Sequence, residues 1–325
     1  MLSGSLGVQK FLDVILARNK GVKKLVYPKA LGALCRRKAQ EFSLASEQLQ
    51  VEDRSASGQN SSEEIKQAIP ASTFEKTVLL SSVHYDPLFG LSSGVSEVAR
   101  TVSSLKRRTF LEFADELPIK PENSGPTDFA LNQLQSPVNS LELVEKSGVG
   151  TVGISYGEFR SAHSSSIEIW NRSLLIPAQR SERVIFGCGG GENDRNLTDA
   201  FGRALFPVLM NVALPDNDSK VCMLAECGSG LGSEAFLKFV TGRLDPRSKI
   251  GGVDYIDGLE VLVSFQRLQR NFELSILTTL PRFYASKFDL KAIGGAREAP
   301  AALVQQGSRA KILVLPDASS ASFKA

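Results

Sequence analysis

Apolar residues in this chain gather into short runs separated by clusters of Gly, Pro, Ser and charged residues, and the spacing within each run assigns it. KTVLLSS (76–82) is a compact apolar run of strand type. It empties into YDPLFGLSSG, a Pro/Gly/Ser loop, and then into SEVARTVSSLKRRTFLEF, whose apolar positions recur at helical spacing. A second loop-rich stretch, PIKPENSGPTD (118–128), leads to NSLELVEKSG, which reads as a helix ended by Gly148. From Gly148 onward strands and helices alternate. VGTVGISYG, RVIFGC and SKVCMLAEC are strands, and KILVLPD (311–317) is the last one. FRSAHSSSIEIWNRSLLI, NLTDAFGRALFPVLMNVAL and SEAFLKFVTGRL are helices, with Asn196 near the start of the second and Ser233 as cap of the third. LSILTTLP is followed by a helix start at RFYASKF.

Strand, Gly-rich turn and helix in repetition predict an α/β fold of two Rossmann-like domains, with mostly parallel sheets and a cleft between them. The expected division is an N-terminal domain over 1–178 and a C-terminal domain over 179–325. Residues 41–70, with VEDRSASGQNSSEE at their centre, read as a flexible connection inside the first. Before them, FLDVILAR reads as a helix and KKLVYP as a short strand. The first forty residues carry many basic side chains against the single acid Asp13. Solvated basic faces explain this most simply, in a cytoplasmic protein; an organellar transit segment is the less favoured alternative.

Composition narrows the classes. A length of 325 residues suits two domains. With 42% apolar and 22% charged residues, the chain is neither disordered nor a disulfide-stapled mini-protein. A net charge of +3 gives no argument for nucleic acid. No apolar run reaches the roughly 18 residues of a membrane span, so a soluble chain with no membrane partner is expected. Cys35, Cys188, Cys222 and Cys227 form no CxxC pair and read as reduced thiols. Two histidines, His84 and His163, are too few for a multi-histidine metal centre.

Ligands of open α/β sheets bind where strands end and loops begin, and three loops stand out. In GCGGGENDR (187–195), Gly189 and Gly190 let backbone amides approach a ligand at a helix start; a tight turn capped by Asn193 or Asp194 explains the loop equally well. A dinucleotide fingerprint fails there, because Glu192 stands where the third glycine belongs. AECGSGLGSEAF (225–236) places Glu226 at a strand end and Cys227 near a helix start, without an imidazole close in sequence to activate the thiol. In HYDPLFGLSSGVSE (84–97), His84 and Asp86 are acid/base candidates, and the plainer reading has Asp86 capping the turn before Pro87.

Taken in order, these loops resemble the nickel-pincer-dependent lactate racemases and their relatives. DPLFGLSSGVSEVARTVSS (86–104) is similar to the family's His-x-x-x-Gly-x-Ser-Gly-Gly-Pro-Lys stretch, SPVNS (136–140) to its Asn-Pro-Val element, and YGEFRSAH (156–163) to its Gly-Asp-x-x-x-Ala-His segment. GGGENDRNLTDAFGRAL (189–205) resembles the Gly-Gly-x-Pro-x-Asp-x-Asn-Leu helix start, and AECGSGLGSEAF the Glu-Cys-x-x-Gly-x-Gly-Ser element. The resemblance covers roughly residues 75 to 315 and implies an isomerase of a small 2-hydroxy acid that uses a nickel-pincer nucleotide. It also exposes departures. The lysine that anchors the pincer in the family matches Ser96, one acid/base histidine matches Asp86, and the nickel-ligand histidine falls near Glu112. The substrate-holding glutamine and lysine match Asp199 and Gly202, with Arg203 one place beyond.

The reading that follows is a divergent lactate racemase-like protein. Asp86, Asp199 and Arg203 are its catalytic candidates, Arg203 as a clamp for a carboxylate. Ser92, Ser93, Gly94, Ser96, Gly189, Gly190, Asp194 and Glu226 are its cofactor- or anion-binding candidates. No metal ligand is assigned. The alternative is an inactive relative that binds a nucleotide or small anionic metabolite, or serves as a scaffold, and has no cofactor.

Overall fold

The computed structural model describes residues 24–27, 40, 45–48, 77–134, 139–146, 149–177, 181–210, 219–246, 255–304, 311–319 and 322–324. The expected helix FLDVILAR and most of the 41–70 connection lie outside these residues. The chain forms two compact α/β units. One comprises Met1–His84, Leu91–Glu112 and Glu122–Leu174; the other comprises Tyr85–Gly90, Phe113–Pro121 and Leu175–Ala325.

The first unit is built on a five-stranded sheet of β1 (Lys24–Tyr27), β2 (Ala45–Gln48), β3 (Thr77–Ser82), β6 (Asn139–Lys146) and β7 (Gly150–Glu158), in the order β2-β1-β3-β6-β7. Its pairs are parallel except β6 with β7, a hairpin of antiparallel register. Between β3 and β6 the chain makes the short strands β4 (His84–Asp86) and β5 (Gly90–Ser92). Helices α1 (Gly94–Thr101), α2 (Ser103–Phe113) and α3 (Gly125–Leu134) follow. Helix α4 (Phe159–Ser173) buries Phe159, Ala162, His163, Ser166 and Trp170, the i, i+3, i+4 stripe of an amphipathic helix. Glu158 caps it, accepting the amides of Arg160 and Ser161.

The expected helix over NSLELVEKSG is β6 instead. Leu141, Leu143 and Val144 are buried along with Ser140 and Glu142, because the strand is interior and hydrogen-bonded on both edges. Pairing with two neighbours outweighs the weak local preference of Glu, Leu and Lys for helix.

The second unit contains a five-stranded, all-parallel sheet. Its strands are β9 (Arg183–Gly187), β10 (Ser219–Leu224), β11 (Phe272–Leu277), β12 (Lys291–Ala292) and β13 (Leu313–Leu315), in the order β12-β11-β10-β9-β13. A small parallel pair, β8 (Leu175–Pro177) with β14 (Ser322–Lys324), accompanies it. Apart from the two-residue edge strand β12, the strand runs are predominantly apolar, as a sheet covered on both faces requires. The chain lays β9 to β12 outward in order and then returns to place β13 on the other side of β9. The sheet therefore reverses between β9 and β13, where loops open at a topological switch point. An aromatic core packs beside it: Phe201 stacks on Phe265 at 4.4 Å, and Phe236 and Phe288 lie 5.0 Å apart.

Helix α5 (Leu197–Ala200) runs through a π-helical turn, Phe201–Leu205, into α6 (Phe206–Leu209). Pro207 sits in the first turn of α6, where it has no amide to donate, and the Phe206 amide bonds Phe201 O across the wider turn. Helices α7 (Glu234–Val240), α8 (Leu259–Leu268), α9 (Arg282–Lys287) and α10 (Glu298–Leu303) complete the unit.

Candidate functional site

The residues singled out from sequence fall into two local groups, one in each unit. In the first unit Ser92 ends β5, Ser93 is the N-cap of α1, and Gly94 and Ser96 lie in its first turn; all are buried. The Ser93 side chain makes no capping bond to the helix. Its Oγ lies 3.2 Å from His163 Nδ1 instead. Ser96 Oγ donates to Ser93 O at 2.9 Å and lies 3.4 Å from His84 Nε2. The other ring nitrogen of His84, Nδ1, is 2.9 Å from Ser82 O and therefore carries the proton of the neutral ring. Ser92 Oγ is fully buried and has no hydrogen-bond partner among the described residues. Gly94 is glycine for packing: a Cβ there would sit 2.6 Å from Leu79 Cδ2 and 2.8 Å from the Phe159 ring.

Behind this loop lies Glu142, on β6 and fully buried. Ser140 Oγ and Ser166 Oγ both donate to its carboxylate, and His163 Nδ1 is 3.5 Å from Oε2. Serine, histidine and carboxylate thus meet, but Ser93 and Glu142 share the same ring nitrogen. A hydrolase triad needs them on opposite nitrogens, so this arrangement orders the core rather than relays a proton. Glu142 escaped the sequence reading because its strand was read as a helix. Taken as a strand, the run has Ser140 and Glu142 two apart on one face, and that was the available signal.

In the second unit Asp86 is buried, and its Oδ1 accepts the amides of Leu88 at 2.8 Å and Phe89 at 3.2 Å. This is the geometry of an Asx turn across Pro87. Asp199 is held by Asn196 Nδ2 at 2.6 Å and by Arg195 Nη2 at 3.4 Å, while Asn196 Oδ1 caps α5 by accepting the Asp199 amide. Arg203 rides on the π-helical turn, and its Nη1 donates to Asn193 Oδ1 at 3.4 Å.

Around the switch point the loop after β9 and the end of β13 interlock. Ala318 N donates to Gly187 O, and Asn193 Nδ2 donates to Ser319 Oγ, both at 2.9 Å. Gly189, at φ +84°, passes so close to Asp317 and Ser319 that a side chain would collide with them. Gly190 is exposed beside open space. Asp194 is buried, with Oδ2 accepting the Glu226 amide at 3.1 Å. The Glu226 side chain is exposed, and its carbonyl accepts Thr278 Oγ1, Thr279 Oγ1 and the Thr279 amide. Asn193, Thr278, Thr279, Asp317 and Ser319 were not foreseen as site residues. Asp317 lay at the end of the last strand recognised from sequence, and only the strand order shows that it faces the loop after β9.

Cys227 does not offer an activated thiol. Burial pushes it up to about 12, and the charges of Asp194, Asp199 and Glu226 act in the same direction against a hydrogen bond with Thr278. Cys188 is raised well above its ordinary value, first by burial and then by Asp194, Cys227 and Asp317. Both remain protonated at neutral pH.

No protein-family model and no curated protein matches the sequence. Solved structures do. The fold is similar to that of the lactate racemase apoprotein from Thermoanaerobacterium thermosaccharolyticum, with a TM-score of 0.66 and 15% identity over 94% of this chain and 87% of that one. It is also similar to a Thermotoga maritima protein solved by a structural genomics consortium, with a TM-score of 0.61 and 8% identity over 98% of each chain. The chain therefore has a lactate racemase-like α/β fold, consistent with the expected fold class.

The side chains at the pincer-anchoring position do not fit that cofactor. Ser96 stands where the resemblance puts the anchoring lysine, and it has no amine with which to form the linkage. Among the described residues no group of three or more His, Cys, Asp or Glu could hold a metal ion. No helix among them is long and apolar enough to cross a membrane.

Proposed function

We propose that this chain is a lactate racemase-like protein that binds a small anionic metabolite without nickel-pincer chemistry. The observation that carries the reading is Ser92 Oγ, fully buried and without a hydrogen-bond partner among the described residues, at the end of β5 and one residue before the N-cap of α1. A buried hydroxyl without a partner costs about 1–3 kcal/mol, which a bound oxyanion would recover. The first amides of α1 have no acceptors within the helix, and the positive end of its dipole favours an anion. A racemase would need groups free to move protons. Asp86 instead caps its own turn, and the Asp199 carboxylate is engaged by Asn196 Nδ2 and Arg195 Nη2.

The test is thermal unfolding of the full chain against rising inorganic phosphate, L-lactate, D-lactate and adenosine monophosphate. A ligand that binds the folded state at one hundred times its Kd raises stability by about 2.7 kcal/mol. We expect such a rise with at least one of these anions and its loss in Ser92→Ala. Indifference to all four, or an equal rise in Ser92→Ala, would overturn the reading.

A second reading, an isomerase of a small 2-hydroxy acid, draws support from Arg203. π-Helical turns recur at functional sites, and this one carries a guanidinium, the group type that recognises carboxylates, held in place by Asn193 Oδ1. Conversion of L-lactate to D-lactate by the wild type, lost in Arg203→Ala, would establish it in place of the first.

A further inference from the structure

We propose that Ser96 is a nucleophile, activated by His84, that accepts the acyl group of a small carboxylic ester. The inference goes beyond the anion-binding reading and does not depend on it. It rests on the order of three groups in the first unit. Ser82 O accepts from His84 Nδ1 at 2.9 Å, so in the neutral ring the proton is on Nδ1 and Nε2 is the basic nitrogen. Nε2 is the nitrogen that faces Ser96 Oγ, at 3.4 Å. Nucleophile, base and a third group that orients the base are the parts of an activated serine, and such contacts are commonly long before substrate arrives.

The Ser96 hydroxyl has two acceptors within reach, Ser93 O at 2.9 Å and His84 Nε2. A rotation about its C–O bond turns the proton from the first to the second. The amides of Gly94, Val95 and Ser96 lie in the first turn of α1, where the helix supplies them no acceptor, and they are the donors available to a developing oxyanion. The pair differs from the Ser93–His163–Glu142 cluster in the respect that matters. At His84 the orienting acceptor and the serine lie on opposite ring nitrogens. Ser96 is fully buried and His84 only partly so, and the group accepted is accordingly small, of acetyl size.

In the acylation step Ser96 Oγ bonds to the ester carbonyl carbon and its proton passes to His84 Nε2. The bond from that carbon to the leaving oxygen then breaks, and the proton departs with the alcohol. Water attacks the acyl-serine next, giving a proton to Nε2. The bond from the carbonyl carbon to Oγ breaks, the acid is released, and the proton returns to Ser96.

The experiment exposes the full chain to p-nitrophenyl acetate and, separately, to phenylmethanesulfonyl fluoride, with peptide mass spectrometry after quenching. An acetyl or sulfonyl group on Ser96 is expected, absent from Ser96→Ala and formed about a hundredfold more slowly in His84→Gln. Ser96→Cys gives a second route should His84→Gln not fold. Its thiol, beside the same imidazole, should be alkylated by iodoacetamide at neutral pH. Wild-type protein without an adduct on Ser96, His84→Gln labelled at the wild-type rate, or an inert Ser96→Cys thiol would each overturn the proposal. None of these results would alter the anion-dependent unfolding that tests the binding reading.

Discussion

Cys227 illustrates how one buried side chain sets a pH limit. Its thiol is held up to about 12 in the folded chain, against 9.0 for an unperturbed group. Below pH 9 both folded and unfolded chains keep the proton, and the contribution to stability is complete. Between 9 and 12 the unfolded chain loses the proton while the folded chain retains it. The folded state then binds more protons, and stability falls as pH rises. Urea midpoints measured from pH 8 to 12 should fall more steeply for the wild type than for Cys227→Ser, whose hydroxyl does not titrate. Parallel slopes would remove Cys227 as the cause. His163 matters through its contact with a buried carboxylate. His163→Ala leaves the fully buried Glu142 carboxylate with only its two serine donors, and should lower stability by about 1–3 kcal/mol in denaturant unfolding. At this scale the sequence was partly readable. Asn196 could be recognised as a helix start and Asp86 as a turn cap from their neighbours alone. The meeting of His163 with Ser93 and Glu142, and of Ser166 with Glu142, joins separate elements, and no local pattern reveals it.

Among the elements, glycines that face packed atoms can be separated from those that serve only a turn. Gly94 begins α1, and a Cβ on it would lie 2.6 Å from Leu79 Cδ2, so Gly94→Ala should cost about 1–3 kcal/mol through overpacking. Gly189 and Gly190 both adopt positive φ, at +84° and +73°. An alanine at either strains the backbone by about 1–2 kcal/mol. Gly189→Ala adds a collision with Asp317 and Ser319, whereas Gly190→Ala meets open space. Thermal unfolding should therefore rank Gly189→Ala clearly below Gly190→Ala; equal losses would show that the loop after β9 yields to its neighbour. The amphipathic helices were legible because burial of one face imposes their period, and the longer parallel strands because they are short apolar runs bounded by turn residues. β6 was not, because Ser140, Glu142 and Glu145 interrupt its apolar run while burial on both faces removes the alternation of a half-exposed strand. The π-helical turn under Arg203 was equally invisible: Pro207 signals a disturbance, but not its form.

For the whole molecule, the chain passes between its two units at 84/85, 90/91, 112/113, 121/122 and 174/175. Two short segments, Tyr85–Gly90 and Phe113–Pro121, thus belong to the second unit although they lie far upstream of its sheet. They are built into it. Tyr85 Oη donates to Ile119 O at 2.8 Å, and Arg267 on α8 donates to Ala114 O at 2.8 Å and Leu117 O at 3.0 Å. Tyr85, Leu88, Phe89, Leu117 and Ile119 are all buried. Hydrophobic pattern shows that such segments want burial but not which core receives them, and for that reason the path of the chain cannot be read from periodicity. The physical consequence is testable. A fragment of residues 175–325 retains every strand of the parallel sheet, yet it leaves Arg267 without those two carbonyls and uncovers the surface that the five apolar side chains fill. Each such side chain contributes about 1.5–3 kcal/mol on burial. The fragment should bind a hydrophobic dye and unfold without a sharp urea transition. Adding back a peptide spanning residues 85–121 should suppress the dye signal and restore cooperativity. A fragment that unfolds cooperatively by itself would show that the two upstream segments decorate the second unit without completing its core.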